Sequence, residues 1–211
     1  MKNQKNPWLL AAEALILFVG LPLLFYLDVI PIPKIVALLA AAGYCAFQLW
    51  HDPEFGKSLL VFSKDREAGK GILIRLPVVT LAILGLVLWL RPDQLFSFPA
   101  ERPFIWVAVM LLYPLLSALP QEFIYRTYFF HRYESFMSLK YSVIISSAIA
   151  FGYLHIIYDN WWAVGLSFAA GILFGMTYNR TRSLFWVTLE HALYGSLVFT
   201  LGLGEFFYEP F

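Results

Sequence analysis

The chain alternates between long apolar runs and short polar breaks, and each run is close to the length of a membrane-spanning helix. Such a helix needs about 20 consecutive, mostly apolar residues. Proline residues stand in several of the breaks, where helices are expected to end. The pattern predicts an all-α, polytopic transmembrane helical bundle with about seven spans, at residues 8–27, 34–50, 71–90, 105–131, 141–158, 161–178 and 184–203.

The composition agrees with this interpretation and excludes several classes of protein. Of the 211 residues, 60% are hydrophobic and 14% are charged, whereas soluble domains carry about 25% charged residues. An ordinary soluble enzyme and a disordered chain are therefore excluded. The net charge of +1 offers no basic surface for nucleic acid. Cys45 is the single cysteine, which rules out an internal disulfide and a cysteine-built zinc site. Because no long polar linker divides the chain, residues 1–211 are predicted to form one integral-membrane domain.

The basic residues predict the orientation of the spans, because cytoplasmic loops are enriched in Lys and Arg. With the N-terminus inside, 11 Lys and Arg residues fall on the inner side and 3 on the outer side. The inner set is Lys2, Lys5, Lys57, Lys64, Arg66, Lys70, Arg75, Arg132, Lys140, Arg180 and Arg182, and the outer set is Lys34, Arg91 and Arg102. The prediction is a multi-pass protein of the plasma (inner) membrane, with the N-terminus inside and the C-terminus outside. Its compact size and short loops favour a bacterial or archaeal membrane.

Five ionisable residues lie inside predicted spans, where each costs about 2.5–3.5 kcal/mol on insertion scales. They are Glu122 and Arg126 in the fourth span, His155 in the fifth, and Glu190 and His191 in the seventh. Glu122 and Arg126 are four residues apart, so they share a helix face and can form an ion pair. At about 1.5 Å per residue, the depths of Glu122, His155 and His191 agree within about 10 Å. The three are therefore expected to meet near mid-membrane, towards the inner side.

A carboxylate and two histidines suit two chemistries, and the residues alone leave both open. In one, a general base activates water while histidines hold the water or stabilise an oxyanion. In the other, Glu and two His bind a divalent metal such as zinc. No HExxH motif occurs, so the common zincin helix is absent. A purely structural role is the third alternative, in which Glu122 and Arg126 only neutralise each other.

Three short motifs resemble those of the CPBP (CAAX protease and bacteriocin-processing) intramembrane endopeptidases, the family that includes the Ras-converting enzyme. Residues 120–126 (PQEFIYR) resemble its Glu-Glu-x-x-x-Arg pattern, and residues 151–155 (FGYLH) match Phe-x-x-x-His. The third block runs from residues 171–175 (GILFG) to residues 190–193 (EHAL), against His-x-x-x-Asn. The motifs occur in the family's order on successive spans, whereas the amino-terminal half matches only as generic membrane helices.

The resemblance implies a helical bundle that hydrolyses a peptide bond of a membrane-associated or prenylated peptide, with membrane lipid around it. The motif-bearing core is residues 105–203. Glu122 is then the base, Arg126 holds it, and His155 and His191 orient water or bind a metal. The auxiliary residues implied are Gln121, Phe151 and Glu190.

Two positions depart from the family pattern, because Gln121 replaces the first glutamate and Gly195 the final asparagine. An amide does not accept a proton at neutral pH, so a strict family mechanism predicts a slow or inactive protein. Either Glu122 takes over as the base, or Glu190 supplies the carboxylate from another helix. Otherwise the protein is a catalytically impaired CPBP-fold scaffold or a bacteriocin-immunity-type protein. A small transporter or proton relay is a further alternative, for which inverted repeats are missing.

Overall fold

The structure is a computed structural model that describes residues 6–56, 66–139 and 141–208. In these segments the chain forms helices and no strand. The helices are α1 (Pro7–Tyr26), α2 (Lys34–Trp50), α3 (Arg66–Leu90), α4 (Ser97–Glu101), α5 (Pro103–Phe136), α6 (Ser142–Tyr158), α7 (Trp161–Thr181) and α8 (Leu184–Leu201). Five basic residues of the predicted inner set lie outside the described residues, namely Lys2, Lys5, Lys57, Lys64 and Lys140.

Each of the seven predicted apolar runs coincides with a helix, and the all-helical prediction is confirmed. The helices α1, α3, α5, α7 and α8 are long and apolar enough to cross a membrane. The helices α2 and α6 are also apolar but shorter, and α2 has 17 residues. A helix of that length covers about 25 Å, which is less than the hydrocarbon core of about 30 Å. The described part of the chain thus contains five candidate spans, and the count of seven is not confirmed.

Contacts between helix ends divide the bundle into two faces. On the first face, His131 near the end of α5 lies 3.0 Å from Asp52, just after α2 (Nε2 to Oδ2). Glu134 at the end of α5 accepts two hydrogen bonds from the Arg182 guanidinium just after α7, at 2.6 and 2.7 Å. The first face therefore carries the ends of α2, α5 and α7.

The second face carries the opposite helix ends. Arg91 after α3 forms an ion pair with Glu205 after α8, at 2.8 Å between Nη2 and Oε2. Lys34 at the start of α2 donates from Nζ to the carbonyl oxygen of Ile157 at the end of α6, at 3.0 Å. The seven long helices thus run alternately up and down, as short connections between packed helices require.

Glu13 of α1 joins the first helix to α5. Its Oε1 accepts hydrogen bonds from the hydroxyls of Tyr128 and Tyr133, at 2.8 and 2.7 Å. Its Oε2 accepts a bond of 2.7 Å from Nη2 of Arg132. Several donors share one carboxylate, so the charge is paired and hydrogen-bonded, as burial requires. The local sequence carries no sign of this role, because all three partners lie more than a hundred residues further along the chain.

The helix α5 is irregular where it carries the candidate residues. Two π-helical turns, Pro114–Ala118 and Phe123–Tyr128, flank a short α-helical stretch at Leu119–Glu122. Proline lacks the N–H that a helix interior needs, and Pro114 begins the first π-helical turn. Wide turns of this kind are frequent at functional sites. Glu122 lies at the junction between the α-helical stretch and the second π-helical turn.

The helices α6 and α7 pack closely because small residues line their contact. A Cβ atom on Gly152 would lie 2.9 Å from the Cβ atom of Phe168. A Cβ atom on Gly171 would lie 3.1 Å from the Cα atom of Ala148. Small residues let helix backbones approach each other in membranes, where van der Waals packing drives association. The close approach sets the distance between the histidine-bearing α6 and the wall that α7 contributes to the site.

We expect Gly152→Ala to destabilise the protein by about 1–3 kcal/mol, because the added methyl group overpacks the α6–α7 contact. Thermal unfolding of the purified protein in detergent measures the effect. The matched control is Gly165→Ala on α7, where an added Cβ meets nothing within 4 Å, so its melting temperature should be unchanged or higher. Equal melting temperatures for the two variants would contradict the close packing.

Candidate active site

A cavity of about 310 Å³ lies among α3, α5, α6, α7 and α8. Its walls are mostly apolar side chains. The polar side chains that line it are Tyr113, Ser117, Gln121, His155, Tyr158, Ser167, His191 and Tyr194. Gly195 lines it as well. Two of the predicted catalytic residues and both positions that depart from the family motif therefore share one space.

The cavity extends from the middle of the bundle towards the second face. Its lining includes Leu86 late in α3, Tyr158 at the end of α6 and Val198 late in α8. On the other side of the bundle, aromatic rings fill the space, with Phe18 and Phe129 at 5.1 Å between ring centroids. The sequence places the cluster towards the inner side, which is the first face in the predicted orientation. Packed rings leave the open volume on the side of the second face, whereas the location of the cluster relative to the two sides of a membrane stays a prediction.

Glu122 lies behind the cavity wall, with none of its surface exposed. Its Oε1 accepts a hydrogen bond from Nδ1 of His191, at 2.7 Å. Its Oε2 lies 3.3 Å from Nε of Arg126, which makes an ion pair but not an aligned hydrogen bond. The carboxylate thus sits between one imidazole and one guanidinium. It reaches the cavity only through His191, which lines that space.

Arg126 is fully buried and joins three helices. Besides Glu122, its guanidinium donates to Oγ of Ser147 on α6 and to the carbonyl oxygen of Gly171 on α7, both at 3.3 Å. The guanidinium carbon also lies 4.9 Å from the centre of the Phe151 ring, a cation–π distance. These contacts do not match the purely structural alternative, in which Arg126 pairs only with Glu122. Arg126 is placed to hold Glu122 at a fixed position between α5, α6 and α7.

The two histidines that line the cavity are held in the same way, each by a hydrogen bond at its Nδ1 atom. The Nδ1–H of His191 donates to Glu122, and the Nδ1–H of His155 donates to the carbonyl oxygen of Phe151, at 2.8 Å. In a neutral imidazole, one nitrogen donates and the other accepts. With both Nδ1 atoms engaged with acceptors, Nε2 of each neutral ring carries the free lone pair. Phe174 stacks on His191 at 4.7 Å and holds the plane of that ring.

Gln121 lines the cavity beside the buried Glu122. Its Nε2 donates to Oγ of Ser117 one turn earlier, at 2.8 Å. Its Oε1 is buried and has no hydrogen-bond partner among the described residues. A buried unpaired acceptor in a native site calls for a ligand or an ordered water. The amide therefore provides an unpaired hydrogen-bond acceptor in the cavity wall, at the position where the family motif has a glutamate.

Glu190 does not line the cavity and forms an ion pair with a basic residue of α3. Its Oε1 forms an ion pair with Nη2 of Arg75 on α3, at 2.9 Å, and accepts a hydrogen bond of 3.0 Å from the hydroxyl of Tyr194. Arg75 also donates to Oγ1 of Thr177 on α7, at 2.8 Å. The sequence assigns Arg75 to the inner side, whereas its guanidinium joins α3, α7 and α8 within the bundle.

The described residues contain no group of three His, Cys, Asp or Glu side chains arranged to hold a metal ion. Catalytic zinc sites use three protein ligands and one open position. Here Nδ1 of each histidine is already bonded, and one Glu122 oxygen faces Arg126. Two Nε2 atoms are left, which is one ligand short of such a site. The described residues therefore do not fit the zinc site that the sequence left open as an alternative.

Comparison with known protein families matches residues 103–197 to the family described as type II CAAX prenyl endopeptidase Rce1-like. This segment of the chain is similar to that family. It begins with α5 and ends within α8, so it contains Glu122, Arg126 and both cavity histidines. The resemblance that the three sequence motifs carry is thereby confirmed. No curated protein and no solved structure matches the chain.

Removal of the Arg126 guanidinium should leave the buried Glu122 carboxylate without a paired positive charge. We expect Arg126→Met to destabilise the protein by about 3–5 kcal/mol, the usual cost of an uncompensated buried charge. The double variant Glu122→Gln/Arg126→Met should be more stable than the single one, since neither charge is left. Thermal unfolding of the single variants, the double variant and the wild type in one detergent gives the coupling energy. A double variant that is the least stable of all would contradict this account.

Proposed function

We propose that this chain is an intramembrane endopeptidase that hydrolyses a peptide bond of a membrane-associated or prenylated peptide. The observation that carries the proposal is the 2.7 Å bond between Glu122 and His191, behind a cavity that His191 and His155 line. The family of residues 103–197, described as prenyl endopeptidases, supports the substrate class. A mostly apolar cavity inside a membrane protein also suits a lipid-modified peptide better than a polar one.

Glu122 acts through His191 in this mechanism. Its carboxylate holds the imidazole by the Nδ1–H, which leaves Nε2 unprotonated towards the cavity, and it stabilises the imidazolium that forms when Nε2 takes a proton. Histidine changes its charge near neutral pH and is the commonest general base. The role proposed for Glu122 from the sequence is thus kept in part. The carboxylate supplies the negative charge, and the imidazole is the group that touches water.

The reaction follows from these assignments. His191 Nε2 removes a proton from a water molecule in the cavity, and the hydroxide oxygen bonds to the scissile carbonyl carbon. The carbonyl oxygen becomes an oxyanion in the tetrahedral intermediate. The bond from carbon to the amide nitrogen then breaks, and the proton held on His191 passes to that nitrogen. A carboxylic acid and an amine leave, the acid passes its proton to the amine to give a carboxylate and an ammonium ion, and His191 is again neutral.

The remaining predicted residues orient the reactants. His155 Nε2 is a second acceptor that holds the attacking water, and the Gln121 amide oxygen accepts a hydrogen bond from a substrate N–H or from water. Arg126 is a positioning residue, because it contacts Glu122 and not the cavity. In this proposal Gln121 does not need to be a base, so its replacement of a glutamate does not by itself abolish activity. Glu190 and Phe151 support the site by packing and charge pairing.

We also propose that residues 1–211 form one integral-membrane domain of seven spans, with residues 105–203 as its catalytic core. The helices α2 and α6 complete the alternating bundle and also cross the membrane. The bilayer around them is locally thinner, and the longer neighbouring helices tilt to fit it. The excess of basic residues predicted for the first face supports an orientation in which that face, and the N-terminus, lie on the inner side of the plasma membrane. The cavity then lies in the outer half of the bilayer, and substrate reaches it from that side or laterally from lipid.

We expect the purified protein to cleave a quenched, farnesylated peptide, and Glu122→Gln to lower kcat by about 10²- to 10⁴-fold, the range for general acid–base catalysis. The reason is the loss of the negative charge that favours imidazolium on His191. Mass spectrometry of the products identifies the cleaved bond. His191→Asn should cause a loss of similar size, and the two losses should not add in the double variant, since the residues act as one unit.

The matched control for these variants is Glu205→Gln, which removes an exposed carboxylate of the second face. Its kcat should equal that of the wild type. A wild-type protein without cleavage in detergent and in vesicles, on farnesylated and plain peptides alike, would overturn the proposed function. Activity that survives Glu122→Gln unchanged would overturn the assigned mechanism and leave the protease class standing.

The orientation predicts the labelling of introduced cysteines in intact cells. Cys45 is buried and is the single cysteine of the sequence, so Cys45→Ala provides a cysteine-free background. On that background, Asp93→Cys at the second face should react with a membrane-impermeant maleimide from outside. Ser135→Cys at the first face should react only after the membrane is permeabilised. The reverse labelling pattern would place the cavity in the inner half of the bilayer.

A further inference from the structure

Tyr113 of α5 places a hydroxyl group in the same cavity as the two histidines. Its ring meets the His191 ring edge-to-face, at 5.9 Å between centroids, and meets the Phe199 ring at 5.4 Å. Contacts with two rings of α8 hold the phenol in one orientation. No described residue forms a hydrogen bond with the Tyr113 hydroxyl. A rigid phenol therefore carries an uncommitted O–H donor next to the proposed base.

Gly195 explains why the hydroxyl can lie where it does. A Cβ atom at this position would overlap the Tyr113 hydroxyl and crowd two carbon atoms of the same ring. Gly195 is four residues after His191, so it lies one helical turn further on the same face of α8. The space that a side chain would occupy beside the base is thus filled by a hydroxyl from α5. The Tyr113 hydroxyl can therefore occupy this position because Gly195 has no side chain.

Two other polar donors of the cavity are already engaged in hydrogen bonds. The Tyr194 hydroxyl donates to Glu190, and the Gln121 amide nitrogen donates to Ser117. In the proposed reaction, the carbonyl oxygen gains negative charge as hydroxide attacks. Preorganised O–H or N–H donors that face such an oxygen contribute strongly to catalysis, and tyrosine is among the side chains that serve.

We propose that the Tyr113 hydroxyl is the oxyanion donor of this site, a catalytic role that depends on the proposed protease function. It donates its hydrogen bond to the substrate carbonyl oxygen, weakly in the ground state and strongly once that oxygen is negatively charged. The proton stays on the phenol throughout. Gly195 is the positioning residue, because its lack of a side chain leaves room for this hydroxyl.

The first test is the steady-state kinetics of Tyr113→Phe on the farnesylated peptide. The variant keeps both ring contacts and loses only the hydroxyl, so kcat should fall by about 10²- to 10³-fold, as for removal of one oxyanion donor, with KM nearly unchanged. Gly195→Ala should lower kcat as well, because its methyl group displaces the hydroxyl. Tyr153→Phe, which removes a hydroxyl from α6 outside the cavity lining, is the matched control and should keep wild-type kinetics.

The second test measures binding and does not depend on turnover. The probe is the same farnesylated peptide with a phosphinate in place of the scissile amide, whose charged oxygen mimics the oxyanion. Its Kd should rise by about 10²-fold or more in Tyr113→Phe, in line with the kinetic loss. A second probe with a –CH₂–CH₂– group at that position has no such oxygen, and its Kd should be equal in the two proteins.

The outcomes separate this inference from the proposed function. An active wild type whose kcat and phosphinate affinity are unchanged in Tyr113→Phe overturns the role of Tyr113 and leaves the protease proposal intact. An inactive wild type that binds the phosphinate through Tyr113 supports the donor role and overturns the proposed turnover. A wild type that neither cleaves the peptide nor binds the phosphinate overturns both.

Discussion

The buried charge cluster around Glu122 is the constraint on which the rest of the bundle depends. A carboxylate without exposed surface, inside a membrane domain, is tolerated only with charged and hydrogen-bonding partners. Arg126 supplies the charge, but the guanidinium has further donors that also need acceptors. Ser147 and the carbonyl of Gly171 provide them from α6 and α7. One buried carboxylate therefore sets the relative positions of three helices.

That requirement accounts for the local features of these helices. The closeness of α6 and α7 depends on glycine and alanine at their contact, and it brings the carbonyl oxygen of Gly171 within reach of Arg126. The π-helical turn Phe123–Tyr128 carries Arg126, where a regular helix is replaced by a wider one. The rings of Phe151 and Phe174 cover the guanidinium and lie against His191. The same aromatic residues line the cavity, so they separate the ion pair from that space and orient the imidazole.

The cluster and the cavity are adjacent but distinct, and this separation shapes the chemistry. Glu122 lies behind the wall without exposed surface, whereas His191 lines the cavity and bonds to Glu122 through Nδ1. The polar groups of the described residues that line the cavity are two imidazoles, an amide and hydroxyls, and no Asp, Glu, Lys or Arg side chain is among them. Such a lining is compatible with the proposed lipid-modified peptide. In the proposed reaction, negative charge develops in the transition state, where preorganised donors have their largest effect.

The sequence by itself determined the helices, the membrane character and the residues that carry charge inside spans, because these depend on local length, hydropathy and short motifs. The seven apolar runs and the motif residues Glu122, Arg126, His155 and His191 could all be found in this way. Only the tertiary structure decided which of them face the cavity and which stay behind it. The partners that decide this are distant along the chain, as His191 is from Glu122. The side of the cavity and the place of the Tyr113 hydroxyl depend on how aromatic rings from different helices fill the bundle, and no local pattern records that packing.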